Sequence, residues 1–350
     1  MNAEGQPDRD PSHAPRSQPR SGPGRGRGSW LPAAQRLRER DHVLLRLLHE
    51  HGTLTGPQIQ ALLFATPAAA RVRLGRLRRQ GWIANFHTRR SGRPLPVHWV
   101  LDDWGSRWAA FNAGEDEPTA RQTRARSERL AASTQLEHTD GAHDFFVALI
   151  TASRLLAQDS PGEPPRLARW WSARHTAKAM DQRVRPDGHG VWATAGVQVP
   201  FYLEYDRGTE PLPRLIAKFP AYRQIIADSL GPAWPVLIVV PTSTRERHLH
   251  QTAAEARNSA WSGAHPYQSH ETLQAYSRLK VLTTSREHLQ EHPYGPAGPV
   301  WRTLTGPGSP DVPRIALADF TAPASRFPAE YAICDPGPAG PDEDPLHEPS

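Results

Sequence analysis

Apolar positions recur at helical spacing through the first third of this chain. Leu37, Val43, Leu44, Leu47 and Leu48 predict a helix over residues 34–51 with one face toward a core. Thr55-Gly56-Pro57 opens a short second helix carrying Ile59, Leu62 and Leu63. Thr66-Pro67 joins an N-cap hydroxyl to a proline at the first helical position and starts a third helix. That helix runs to about Gln80, where Gly81 supplies the stop. Ala70, Leu74 and Leu77 share one face at i, i+4, i+7; Arg73, Arg76 and Arg79 are expected on the opposite side, with Arg71 and Arg78 on its flanks. Two short strands, 82–87 and 96–101, enclose Thr88-Arg89-Arg90-Ser91-Gly92-Arg93-Pro94.

The pattern changes after a polar run at 113–130, which reads as a partly helical linker. Residues 136–157 form a long apolar helix whose first turns hold Glu137, His138, His143 and Asp144. Strands follow at 167–172, 183–191 and 197–206, then a helix at 213–229 and an apolar strand from Trp234 to Val240. A helix begins at Thr244-Arg245-Glu246, and a strand–helix pair is expected at 279–290. A strand–helix–strand crossover implies a parallel pair, hence an α/β sheet covered on both faces.

Three helices and a hairpin with an arginine-rich tip resemble a winged helix-turn-helix. In that arrangement the third helix enters the major groove and the wing touches phosphates. Arg71, Arg73, Arg76, Arg79, Arg89, Arg90 and Arg93 are then the DNA-binding candidates; an arginine-coated module for protein contacts is the alternative. The expected organisation is a disordered basic tail at 1–30, a winged helix domain at 31–112, the linker at 113–130, an α/β domain at 131–305 and a Pro-rich tail at 306–350.

Composition sharpens this picture. Residues 1–130 hold 22 arginines against 12 acidic residues, a net of +10, while the remainder is net −4. A basic first third points to a polyanionic partner. The 36 prolines and 26 glycines are many for a compact fold. Only Cys334 is present, so no intrachain disulfide and no cysteine-based zinc site can form. No apolar run approaches the roughly 20 residues of a membrane span, and the polar, arginine-rich start is no signal peptide; a cytoplasmic location is expected. Lysine occurs only at Lys178, Lys218 and Lys280.

The richest chemistry lies in Phe201-Tyr202-Leu203-Glu204-Tyr205-Asp206-Arg207-Gly208. Strand alternation puts Glu204 and Asp206 on one face with Tyr202. Two carboxylates ~4 Å apart at an effective dielectric near 20 repel by roughly 4 kcal/mol, a cost that a divalent cation removes. Asp187, on a neighbouring strand, would complete a Mg²⁺ or Mn²⁺ site for phosphodiester chemistry, with Asp187, Glu204 and Asp206 as ligands. The alternatives are a Pro-Asp-Gly turn for Asp187, and ion pairs with Arg207, Arg214 or Lys218 for the other two. Lys218 is a candidate to polarise phosphate or water, or it lies on a solvated helix face. Tyr222, one turn further on, is a nucleophile or a packing residue. His138 and His143 are a general base or structural histidines. The chain carries no phosphate-cradling loop after a strand, no His-Glu-x-x-His and no Gly-x-Ser-x-Gly.

Pro186-Asp187 followed by Glu204-Tyr205-Asp206 resembles the PD-(D/E)xK nuclease superfamily, with Asp206 standing where the lysine belongs and Lys218 on the following helix. The wider set resembles the actinobacterial plasmid replication-relaxation family: Leu136-Glu137-His138, His143-Asp144-Phe145, Arg185-Pro186-Asp187-Gly188, Leu203 through Glu210, Lys218 with Tyr222, and Pro241 through Arg245-Glu246. The resemblance implies a winged helix joined to a restriction-endonuclease-like domain, similar to nuclease-fold mobilisation relaxases. It also implies double-stranded DNA at a plasmid origin or transfer locus as partner, with a homodimer and replication or conjugation proteins as further candidates. Two functions follow: metal-dependent nicking or relaxation by Asp187, Glu204, Asp206 and Lys218, or a non-enzymatic accessory factor or transcriptional regulator on an inactive nuclease-like domain.

Overall fold

The computed structural model describes residues 30–90, 93–94, 96–159, 164–194, 197–227, 234–262, 279–304 and 313–320. The expected N-terminal tail before Trp30 and the C-terminal stretch after residue 320 lie outside them.

The first module contains α1 (Leu31–Ala34), α2 (Glu39–His51), β1 (Leu54–Thr55), α3 (Gly56–Leu63), α4 (Pro67–Gln80), β2 (Ile83–Phe86), β3 (Arg89–Arg90), β4 (Arg93–Pro94) and β5 (His98–Leu101). The expected punctuation operates: Thr55 and Thr66 accept from the N–H groups of Gln58 and Ala69, and Gly81 ends α4 in the left-handed region. β1, β5 and β2 form a small antiparallel sheet in the order β1-β5-β2, and β3 and β4 extend the hairpin. α5 (Asp103–Asn112) and α6 (Ala120–Ala131) follow. The expected linker is therefore largely α6, capped by Thr119. It lies against the first module, with Leu130 beside Gly52 and Arg126 bonded to the His49 carbonyl at 3.2 Å.

The second module is mixed α/β. α7 (Leu136–Asp159) crosses a sheet of β6 (Arg166–Ser172), β7 (Gly188–Thr194), β8 (Val197–Tyr205), β9 (Val236–Val240), β10 (Val281–Ser285) and β11 (Arg302–Thr303). The order is β11-β10-β9-β8-β7-β6. β6, β7 and β8 pair antiparallel; β8, β9 and β10 pair parallel through the crossovers; β11 returns antiparallel. Helices α8 (Ala173–Ala179), α9 (Leu212–Ile216), α10 (Phe219–Ala227), α11 (Ser243–Ser262) and α12 (Arg286–Glu291) complete it. The single helix expected over 213–229 is two. Pro220 lacks an N–H and its ring would strike the carbonyl of Ile216 in a continuous helix, so the chain breaks at Ala217-Lys218. Residues 313–320, expected in the tail, return to the module: Ile315 pairs with Trp301, Leu317 is buried and Arg314 bonds Glu246.

One apolar core spans both modules, from Leu44, Ile59 and Leu74 to Phe145, Phe146, Trp170 and Phe201. Polar contacts key the modules together. Gln58 Nε2 bonds Asp144 Oδ1 at 2.7 Å, His98 Nε2 lies 2.9 Å from Asp140 Oδ2, and Arg154 caps the carbonyls of Ala61 and Leu62 at the end of α3.

Candidate ionisable cluster and nucleic-acid interface

Antiparallel pairing decides where the cluster forms. Gly188 stands opposite Leu203, so Asp187, just before β7, comes beside the end of β8. Its N–H donates to the Leu203 carbonyl at 2.8 Å. Its Oδ2 accepts from the Tyr205 N–H at 2.7 Å, and its Oδ1 is 2.7 Å from His138 Nε2 at the start of α7. One residue earlier on β8, the Glu204 side chain is only 3% exposed. Oε2 accepts from Lys218 Nζ and Oε1 from the Tyr222 hydroxyl, both at 2.6 Å. Lys218 reaches Glu204 from the break between α9 and α10. His138 and Lys218, with 28% and 40% of their side chains exposed, are the cluster's openings to solvent.

The electrostatics are those of groups forced close together. Burial, then the Asp187 charge, raises Glu204 to about 7, against the pull of Lys218 and Tyr222. The hydrogen bond to Asp187 raises His138, outweighing its burial. Burial lowers the Lys218 ammonium, but Glu204 and Asp187 together carry it above its ordinary value. Burial and then Glu204 push the Tyr222 phenol well above its usual range.

Asp206 does not join this group. It follows the last residue of β8; its Oδ1 accepts from the Gly208 N–H at 2.8 Å and its Oδ2 pairs with Arg245. Gly208 is left-handed at φ 81°, and a Cβ there would lie 2.9 Å from Pro241 Cγ, so Asp206, Gly208 and Arg245 brace the loop after β8. Among the described residues no three His, Cys, Asp or Glu side chains are placed to share a cation. The expected three-carboxylate arrangement is thus not formed; the ion pair of Glu204 with Lys218 is. His143 is a core residue, buried edge-on to His51 and Trp170. Arg245 and Glu246 do not pair with each other: buried Glu246 bonds Arg314 and the Thr283 hydroxyl, both at 2.7 Å.

On α4, Arg71, Arg76, Arg78 and Arg79 are exposed. Arg73 is not on their face. It precedes Leu74 by one residue and Leu77 by four, so it flanks the apolar stripe, and it pairs with buried Asp41 of α2 through both carboxylate oxygens. Arg78 Nη1 bonds Asn85 Oδ1 at 3.2 Å. Arg89, Arg90 and Arg93 stand on β3 and β4, with Arg89 opposite Pro94 and Arg90 opposite Arg93; their side chains lie outside the described part.

A family model described as replication-relaxation matches residues 45–236, more than half of the chain. The chain belongs to the replication-relaxation family. No curated protein and no solved structure matches it significantly. In this replication-relaxation protein the matched span takes in α4, the hairpin and the whole His138, Asp187, Glu204, Lys218 and Tyr222 cluster, and ends at the first residue of β9. Arg245, which holds Asp206, lies beyond it. Sequence reasoning left the role of His138 open; its place in the first turn of α7, beside Glu137, was the available signal. It did not single out Val72, an apolar residue among the α4 arginines.

Proposed function

We propose that this protein acts on double-stranded DNA in plasmid replication or mobilisation, with a winged helix that docks the DNA and a nuclease-like domain that nicks or relaxes it in the cytoplasm. The observation that supports this reading best is the cluster of His138, Asp187, Glu204 and Lys218, open to solvent at a cation and an imidazole and keyed rigidly to the module carrying the α4 arginines.

The roles follow from charge and proton affinity. Lys218 offsets the negative charge of a scissile phosphate. Glu204, with its affinity near neutrality, takes the proton of an attacking water. The water oxygen bonds to phosphorus and the bond to the 3′-oxygen breaks. His138, whose proton affinity is raised by its hydrogen bond to Asp187, gives its proton to that leaving oxygen. Mg²⁺ and Mn²⁺ belong in the assay because Asp187 and Glu204 supply two carboxylates, whereas Asp206 is committed to Arg245.

A second reading is a non-enzymatic DNA-binding accessory factor or transcriptional regulator on an inactive nuclease-like domain. It is favoured by the mutual satisfaction of the carboxylates: Asp187 with His138 and Tyr205, Glu204 with Lys218 and Tyr222, Asp206 with Arg245. A homodimer and replication or conjugation proteins are further partners compatible with either reading.

The deciding experiment is relaxation of a supercoiled plasmid carrying the neighbouring origin, in Mg²⁺, Mn²⁺ or EDTA. It compares wild type with the Asp187→Asn/Glu204→Gln double variant. Open circles that disappear in the double variant, while DNA binding persists, support nicking at this cluster. Tight binding without nicking in any condition moves the protein to the second reading. Failure to bind DNA at low salt rejects both.

A further inference from the structure

A scattered apolar residue on a surface is ordinary, but Val72 is not scattered at random. With 72% of its surface exposed it exceeds Leu31, Phe111 and Leu155, the other exposed large hydrophobic residues among those described. At 100° per residue it lies directly opposite the buried Ala70, Leu74 and Leu77 stripe of α4, in line with Ala68, Arg76 and Arg79. The remaining outward positions are small or cationic: Ala69 and Gly75, then Arg71 at the edge. A Cβ added at Gly75 would meet only the Arg79 guanidinium, at 3.6 Å. The face therefore has little bulk to hold a groove away, a positive rim, and one branched apolar side chain at its centre.

Packing gives no reason for a valine there. It is a β-branched residue of lower helix propensity than alanine, and it buries little in the protein alone. The major groove offers one apolar group on its base edges, the 5-methyl of thymine. We infer that Val72 is a specificity-determining residue that packs on a thymine 5-methyl in the major groove while Arg76 and Arg79 engage the flanking bases or phosphates. The inference rests on the reading of α4 as the DNA-docking helix and adds what that helix reads.

The test uses the full chain and its preferred duplex, obtained by selection from a random-sequence duplex library. Each thymine in the selected duplex is then replaced singly by deoxyuridine, which lacks the 5-methyl and keeps the base-pairing edge. Expected is one position, or one per half-site, where deoxyuridine weakens binding about fourfold, the worth of one methyl removed from water. The Val72→Ala variant should bind the thymine duplex more weakly and be indifferent to deoxyuridine at that position, with an unchanged melting temperature because the side chain is exposed. Val72→Thr, which keeps one methyl, should retain part of the discrimination. Selected binding insensitive to every thymine replacement overturns the inference and leaves DNA docking intact, as does a preference that survives in Val72→Ala. Failure of wild type to bind any duplex at low salt removes the parent reading as well.

Discussion

Arg73 of α4 is clamped to Asp41 of α2, with both carboxylate oxygens of a fully buried aspartate engaged by one guanidinium. Asp41 also accepts from the Arg38 N–H at 2.8 Å, tying down the first turn of α2. An arginine that looks like a phosphate contact in the sequence is thus the fastener that sets α4 against α2. Arg73→Ala leaves a buried charge without its cation, a loss of about 3–5 kcal/mol, measured as a fall in urea-unfolding free energy. Unchanged stability would mean that the pair does not form.

The exposed arginines of the same helix should behave in the opposite way. Arg76→Ala and Arg79→Ala should leave stability within about 0.5 kcal/mol. Each should reduce the slope of log affinity against log salt by roughly one on duplex DNA. A salt dependence identical to wild type in both variants would place the DNA elsewhere.

His51 makes stability acid-sensitive. Its ring stacks on Trp170 with centroids 3.9 Å apart, and neither ring nitrogen has a hydrogen-bond partner. Burial lowers it to about 4. A depressed folded value means that the stabilisation of neutral His51 is complete above the unfolded value near 6.5 and is lost as pH falls toward 4. About 3 kcal/mol is at stake over that window. His51→Phe should flatten the fall in melting temperature between pH 6.5 and 4; an equally steep fall would assign the acid sensitivity to other groups.

Glu204 carries the reverse sign. Its folded value of about 7 lies above the unfolded carboxylate value, so its contribution is present below about pH 4.5 and is lost as pH rises through 7. Glu204→Gln should therefore be more stable than wild type at pH 8–9, by roughly 2 kcal/mol, with the difference closing near pH 5. Lys218, partly exposed, can turn to water in the variant. A variant that is less stable at every pH would show that the ion pair outweighs the burial.

Gly141 of α7 sets the distance to β8. A Cβ there would lie 2.2 Å from Tyr205 Cε1, and the Tyr205 N–H holds Asp187. Gly141→Ala should cost about 1–3 kcal/mol by overpacking, and Tyr205→Leu in the same chain should recover much of it, a coupling that a double-mutant cycle on melting curves reads directly.

Local chemistry made much of this fold legible. Thr55, Thr66 and Gly81 mark helix ends because caps and left-handed turns depend on neighbouring residues alone, and the apolar spacing of α2, α4 and α7 shows which faces are buried. The strands β8 and β9 were visible as runs, and the crossover between them fixed a parallel pair. Asp187, Glu204 and Lys218 were marked by residue type and order. They were expected at one site, but their pairing was left open, because it depends on how β7 runs against β8 and on where the chain between α9 and α10 places Lys218.

The sequence by itself determined the elements, their order and the basic character of the first module, since each follows from short-range sterics, capping and composition. Tertiary structure decided which charged groups are partners. Alternation put Glu204 and Asp206 on one strand face, yet the chain leaves the strand at Tyr205, and Arg245 from the next crossover takes Asp206 away. Helical spacing put Arg73 among its neighbours, yet Asp41 from another helix captures it. Charge pairing is settled by distances of a few ångströms between elements far apart in the chain, and these exist only after packing has fixed the relative position of those elements.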